Sequence, residues 1–311
     1  MQNNALERLN RLYNRVLQKG ANLLFYPITK TSQINTNPEA ETVLYCALDR
    51  TSCRQYITAA KSFLRYYPNV AVIAQNDGSL GKRNIAEIKA HLPGAIVWSK
   101  QSMFEDIQNR ATPELLRLIP GADQYESYTS IKIMYLKFLN VIFRLNGKKV
   151  IVIDSDIVFL KRPDFIIEWA CTPYSHDFYS EGSNDKADIY RAIGFQFTSI
   201  DVGNFSSGTI GIGGHIHQDE LLEIFSKINN YDAALFYSWE LEQALWSIVL
   251  AKRDNPVNID GLREVYVGSG WRSYKELKEM AVIAHFAGAV RFNGMKYLRC
   301  MMDVIRSLNR E

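Results

Sequence analysis

The sequence is short of several features that would settle its class at once. Its 311 residues include four cysteines, Cys46, Cys53, Cys171 and Cys300, which are widely spread. None of them forms the short paired spacing of a zinc site, so free thiols and a reducing compartment are expected. Charge of one sign is not in excess: 36 Lys and Arg stand against 33 Asp and Glu, a formal +3. That balance argues against a dominant nucleic-acid surface. No apolar run approaches the ~18 residues needed to span a bilayer. The first residues lack the apolar core and small-residue cleavage site of a secretory signal. A cytoplasmic location is therefore expected. The stretch Gly211-Ile212-Gly213-Gly214 lacks the setting of a dinucleotide fingerprint. Repeats, low-complexity tracts and clear linkers are also missing, which favours one continuous domain. Apolar residues, at 47%, are enough for a sizeable core.

The most informative stretch that is present runs from Val150 to Leu160. Four β-formers, Val150-Ile151-Val152-Ile153, lead straight into Asp154-Ser155-Asp156, and four more apolar residues follow. A continuous Val/Ile run reads as a central strand buried on both faces. Two carboxylates at its end are expensive to bury unpaired. A divalent cation between them removes that difficulty, because carboxylate oxygens are hard ligands for Mg²⁺ or Mn²⁺. Residues i and i+2 of a straight strand share a face, so Asp154 and Asp156 are expected to converge on one ion.

The rest of the first half alternates strand and helix. Strands are predicted at Thr42–Leu48, Val70–Ala74 and Ala95–Trp98. Helices are predicted over Cys53–Arg65, Ile85–His91 and Tyr128–Leu145, the last capped by Asn146-Gly147. The second half is less regular, with strands at Asp177–Ser180 and Gly208–Gly213 and helices at Leu221–Ile228 and Glu240–Leu250. Such alternation implies a mostly parallel sheet flanked by helices, with ligands beyond the carboxyl ends of its strands. Asp49, Asp77, Asp154 and Asp156 all fall at predicted strand ends. Asp49 and Asp77 are candidates to contact a base or ribose; turn stabilisation is the alternative, nearly as strong for Asp77. The two ends of the chain, 4–19 and 296–310, read as basic amphipathic helices. They pack on the domain in the simpler reading, and in the other lie on an anionic membrane surface.

Six segments over residues 42–295 together resemble the retaining GT-A-fold glycosyltransferases that include glycogenin and the bacterial lipopolysaccharide galactosyltransferases. Thr42–Asp49, with Tyr56 and Ala59–Ser62, resembles the family's first strand and helix, where the strand end, here Ala47, Leu48 and Asp49, cradles uridine. Tyr128–Ile133 resembles the segment opening the helix before the metal strand. Ser130 stands where members often carry an Arg that contacts the nucleotide, and Lys132 is the nearby cation. Asp154-Ser155-Asp156 matches the metal-binding triplet. Phe205–Ile210 resembles the strand facing the donor sugar, with Ser206 in place of Asn. Glu242-Gln243 resembles the Asp-Gln pair at the reaction centre. His285–Arg291 resembles the His-x-x-Gly-x-x-Lys motif, with Gly288 inside it and Arg291 keeping the charge.

The resemblance implies an α/β, Rossmann-like GT-A fold and a metal-dependent transfer of sugar from a UDP-sugar to a glycan or lipid-linked saccharide, as in polysaccharide or lipopolysaccharide biosynthesis. Asp154, Asp156 and His285 would hold Mn²⁺, or Mg²⁺. Ala47, Leu48, Asp49, Asp77, Lys132, Ser155, Ser206, Gly288 and Arg291 would bind the nucleotide sugar. Gln243 would sit under the anomeric carbon, and retention is expected. Glu240 or Glu242 as a general base would instead imply inversion. A degenerate, non-catalytic binding protein is the non-enzymatic alternative. The expected layout is one catalytic domain over 1–311. It has an N-terminal helix and lead-in over 1–30, a nucleotide-binding half over 42–160, an acceptor and catalytic half over 161–295 and a C-terminal helix over 296–311.

Overall fold

The computed structural model describes residues 16–17, 20–119, 133–173, 176–181, 205–228, 239–259, 264–267, 273–288, 291–292 and 295–310. The predicted helix at 4–19 lies almost wholly outside them, as do Lys132 and the rest of 120–132.

Seven strands form the large sheet. They are β1 (Thr42–Leu48), β2 (Ala71–Asn76), β3 (Ile96–Trp98), β4 (Lys149–Ile153), β6 (Phe178–Glu181), β7 (Phe205–Ile212) and β8 (Val257–Ile259). Their order is β3-β2-β1-β4-β7-β6-β8. The first four are parallel to one another, β7 runs antiparallel to both β4 and β6, and β8 is parallel to β6. The sheet is mostly parallel, as the alternation predicts. β4 is central, and its Val150–Ile153 are buried to the last residue. β-Branched side chains suit that position because both faces of the strand meet packed helices.

One face of the sheet carries α2 (Cys53–Leu64) and α11 (Lys296–Leu308); the other carries α6 (Ile133–Arg144) and α9 (Trp239–Ala251). The apolar stripe of α11, with Tyr297, Cys300, Met301, Val304, Ile305 and Leu308, is buried in the first core. The face that a membrane-surface helix would insert is thus already used in packing. No described helix is long and apolar enough to cross a membrane. The four cysteines are free thiols.

The turn after α6 needs its glycine. Gly147 has φ +87°, and its N–H donates to Gly214 O at 3.1 Å. A Cβ there would lie 2.6 Å from His215 Cε1. Only glycine meets both demands without strain.

A second sheet is small. β5 (Ile157–Phe159), β10 (Ile283–His285) and β9 (Glu264–Tyr266) pair in that order. β10 is antiparallel to β5, with His285 opposite Ile157. This sheet matters because it delivers a side chain to the end of β4.

Candidate metal centre

β4 ends at Ile153, and a turn at Asp154–Asp156 carries the chain from the large sheet into β5. The two carboxylates are therefore brought together by the turn, and the expectation of a straight strand sharing one face is corrected. The turn is tied on three sides. The Asp154 N–H donates to Gly208 O at 3.0 Å, the Phe286 N–H to Asp156 O at 3.0 Å, and the Tyr297 hydroxyl to Ser155 O at 3.1 Å. Antiparallel pairing of β10 with β5 then sets His285 beside Asp156.

His285 Nε2 lies 3.6 Å from Asp154 Oδ2 and 3.5 Å from Asp156 Oδ1. One ligand atom from each of the three residues lies within 4.8 Å of the others. Neighbouring ligand atoms on an octahedral ion stand about 3 Å apart, and the two His285–carboxylate distances are within about 0.6 Å of that value. Asp156 and His285 are buried and Asp154 is partly exposed, which leaves one approach open to phosphate or water. Two carboxylates and an imidazole form a donor set that fits Mn²⁺ or Mg²⁺.

The charges around the set are strongly coupled. Arg291 Nη2 pairs with Asp156 Oδ2 at 2.6 Å, and its Nε donates to Phe286 O at 3.0 Å. Burial alone would raise the Asp156 pKa, but Arg291 first and then His285 overcome this and hold it at about 2. Burial works against the Arg291 charge as well; Asp156 outweighs it, helped by Asp154 and Asp49. Asp49 at the end of β1 thus shares the field of the Asp154–Asp156 turn.

Behind Asp154 stands a residue that the sequence reading missed. Lys137, on α6, is fully buried. Its Nζ lies 3.0 Å from Asp154 Oδ1 and 3.0 Å from Glu242 Oε1, and donates to Ser207 O at 3.3 Å. The Ser207 hydroxyl donates to Glu242 Oε2 at 2.7 Å. Burial pushes the Lys137 pKa down, yet Asp154 and Glu242 more than offset it and hold it above the ordinary value. Glu242 is raised, by burial first and then by Asp154 against the pull of Lys137. Lys137 therefore fixes one oxygen of Asp154 and leaves the other facing His285. The available signal was a lone cation inside Leu136-Lys137-Phe138-Leu139, a helical stretch too apolar to leave it unpaired.

An irregularity in β7 makes room for this network. Tyr179 pairs with Ile210, but the next residue, Ser180, pairs with Ser206, so Ser207–Thr209 are extra on the β7 side. Bulges re-aim side chains, and here Ser207 turns to Glu242 while Gly208 O takes the Asp154 N–H. Ser206, the sequence candidate, has its hydroxyl on the Gly208 N–H at 3.2 Å. Its neighbour Ser207 is the residue in contact with the ligand-holding network.

Asp49 Oδ1 accepts from the Thr51 N–H and hydroxyl and the Ser52 N–H, at 2.7, 2.8 and 2.9 Å. Asp77 Oδ1 accepts from the Ser79 N–H and hydroxyl. Each holds its own turn, the alternative reading for both. The Leu48 side chain is in the core, so only its backbone can meet a ligand; Ala47 is half-buried. Gly288 has φ +74°, and its carbonyl accepts the Arg291 N–H at 3.4 Å. Glu240 and Gln243 are half-buried on the first turns of α9. Gln243 Oε1 is sealed from solvent with no hydrogen-bond partner among the described residues.

No protein-family profile matches this sequence, and no curated protein sequence matches it. Solved structures do. The apo-form glycosyltransferase GlyE of Streptococcus pneumoniae TIGR4 superposes with a TM-score of 0.52 at 13% identity, over 88% of this chain and 63% of that one. The bifunctional glycosyltransferase WbbM superposes at 0.50 with 14% identity, over 89% of this chain and 53% of that one. The chain has the GT-A fold. It spans about half the length of WbbM and under two thirds of GlyE. In the GT-A frame, the Asp154–Asp156 turn and the ends of β1 and β2 share the carboxyl edge of the parallel strands, the edge where ligands bind in open α/β sheets.

Proposed function

We propose that the chain is a metal-dependent glycosyltransferase that moves a sugar from a nucleotide sugar, UDP-linked in our reading, to a glycan or lipid-linked saccharide. The observation that carries the proposal is the convergence of Asp154 Oδ2, Asp156 Oδ1 and His285 Nε2 at the carboxyl edge of a GT-A sheet.

Asp154, Asp156 and His285 would hold Mn²⁺ or Mg²⁺. A divalent cation there supplies charge stabilisation to a leaving diphosphate. Each of the chain's own residues has a task around it. Lys137 and Arg291 clamp the outer oxygens of the two aspartates, so the inner oxygens are aimed before any ligand arrives. Arg291 also adds a fixed cation where negative charge develops. In our reading Gln243 stands beside the donor sugar and the reaction is retaining, as the resemblance of Glu242-Gln243 to the family's Asp-Gln pair implies. Glu242 is a poor candidate base, because both of its oxygens are engaged with Lys137 and Ser207. Glu240, half-buried and nearer the start of the helix, is the base that an inverting reaction would use.

Calorimetric titration of UDP, with and without Mn²⁺, on wild type and Asp156→Ala tests this. Binding that needs both Mn²⁺ and Asp156 is expected. UDP binding indifferent to both, or no binding at all, would remove the assignment and bring other nucleotide donors or a non-catalytic role forward.

A further inference from the structure

A cavity of about 540 Å³ lies beyond the ends of β1 and β2, where α3 (Lys82–His91) begins. Its lining shares no residue with the metal centre. Four cations face it, Arg50, Arg54, Lys82 and Arg83, against one carboxylate, Glu87. That carboxylate is already committed, since Arg54 Nε meets Glu87 Oε1 at 2.6 Å.

The cavity is built as well as basic. Arg54 is held in place by Glu87 and by the Asn22 carbonyl, and its guanidinium stacks 5.0 Å from the centre of the Tyr26 ring. The Arg50 N–H donates to Ser79 Oγ at 2.7 Å, which joins the β1 and β2 loops across its floor.

The start of α3 breaks a local rule. The positive end of a helix dipole favours acidic residues and disfavours cations. The first turn of α3 has no acidic residue and begins Lys82-Arg83. Its N-cap is Gly81, which has no side chain to accept the first amides. Asn84 Oδ1 takes the Gly81 N–H at 3.2 Å, but crowding cations around this helix start still works against stability. Arrangements that oppose local preference in this way mark functional sites, and helix amides together with guanidinium groups are the ordinary receptors for phosphate.

We propose that this cavity binds a phosphate-bearing group, a mono- or diphosphate, independently of the metal centre. The inference does not rest on the transferase reading. The shared chemistry is the phosphate; its carrier is either a soluble molecule or a lipid headgroup.

The test uses the full chain in EDTA at low salt, titrated with inorganic pyrophosphate. Wild type is compared with Arg50→Ala/Arg83→Ala and with Asp156→Asn. Two lost charge-assisted contacts should weaken binding at least about tenfold in the double variant, while Asp156→Asn binds as wild type does. Binding should also collapse in 1 M salt, where screening is strong beyond about 3 Å. Arg50 and Arg83 are exposed, so the unliganded double variant should melt no lower than wild type. A second arm measures co-sedimentation with phosphatidic acid vesicles against phosphatidylcholine vesicles. Arginine-dependent binding to phosphatidic acid assigns the phosphate to a lipid, whereas pyrophosphate binding without vesicle binding assigns it to a soluble ligand. Absence of both, or binding that survives the double variant, overturns the proposal. So does pyrophosphate binding that is lost only in Asp156→Asn.

Discussion

Lys61 and Lys137 are both fully buried, on helices that cover opposite faces of the same sheet, yet they live in opposite surroundings. Lys61 donates to neutral groups, Thr31 Oγ1 at 2.7 Å and Ser32 O at 2.6 Å, and lies 3.2 Å from His91 Nδ1. Burial, with no carboxylate to oppose it, drops its pKa to about 8. Lys137 lies between Asp154 and Glu242, and its pKa is raised. One lysine is a strut between the lead-in segment and α2, and it can lose its proton at mildly alkaline pH. The other is a cation that holds a candidate metal ligand, Asp154, in place. Burial does not fix what a lysine does; its partners do.

The comparison is broken most severely by Lys137→Met. The substitution leaves Asp154 and Glu242 facing each other, and breaking a buried pair from one side costs about 3–5 kcal/mol. Chemical denaturation should show that loss, and adding Glu242→Gln should recover part of it. Next in size is the effect of the metal. Mn²⁺ at a hundred times its dissociation constant should stabilise wild type by about 2.7 kcal/mol and leave Asp156→Ala unmoved in a thermal melt; an equal shift in both would move the ion elsewhere.

Ser207→Ala strips one hydrogen bond from a buried charge and should cost about 1.5–3 kcal/mol. Smallest is Lys61→Met near neutral pH. Thr31 also donates to Ile28 O at 2.8 Å, so little is orphaned, and a change within about 1 kcal/mol is expected.

The two lysines should also give opposite pH slopes. Lys61 has a depressed folded pKa, so its contribution is present above its unfolded value of 10.5 and is lost as pH falls through about 8. Lys137 has a raised one, so its contribution is full below 10.5 and is lost as pH rises through its higher folded pKa. Denaturation midpoints between pH 8 and 10.5 should therefore rise more steeply in wild type than in Lys61→Met. Parallel curves would show that the strut is not what titrates.

The large elements could be read from the chain because their residues repeat at a detectable period. β1 and β4 are runs of β-branched and apolar residues, and α2 and α6 place theirs at helical spacing. The small sheet could not be read that way: β5, β9 and β10 have three residues each, too few to display any period. His285 was found through its motif, and its place beside Asp156 comes from strand pairing between segments far apart in the chain. The His285-to-Asp geometry follows from that pairing, while the reach of Lys137 to Asp154 depends on helix packing that no local pattern reports. Asp49 and Asp77 stand at strand ends as read, and one oxygen of each is used to hold its own turn.

The candidate ligands come from two sheets, and His285 sits on a strand formed late in the chain, between β5 and β9. During synthesis, β1, β2 and β4 can pair long before that strand emerges. Until then Asp154 and Asp156 form an acidic turn without their imidazole, and the centre is unfinished. A cation that binds only the finished set would act as a clasp between early and late parts of the chain, stabilising the folded state by mass action. Assembly of the centre would then report that β10 has been made and has paired with β5.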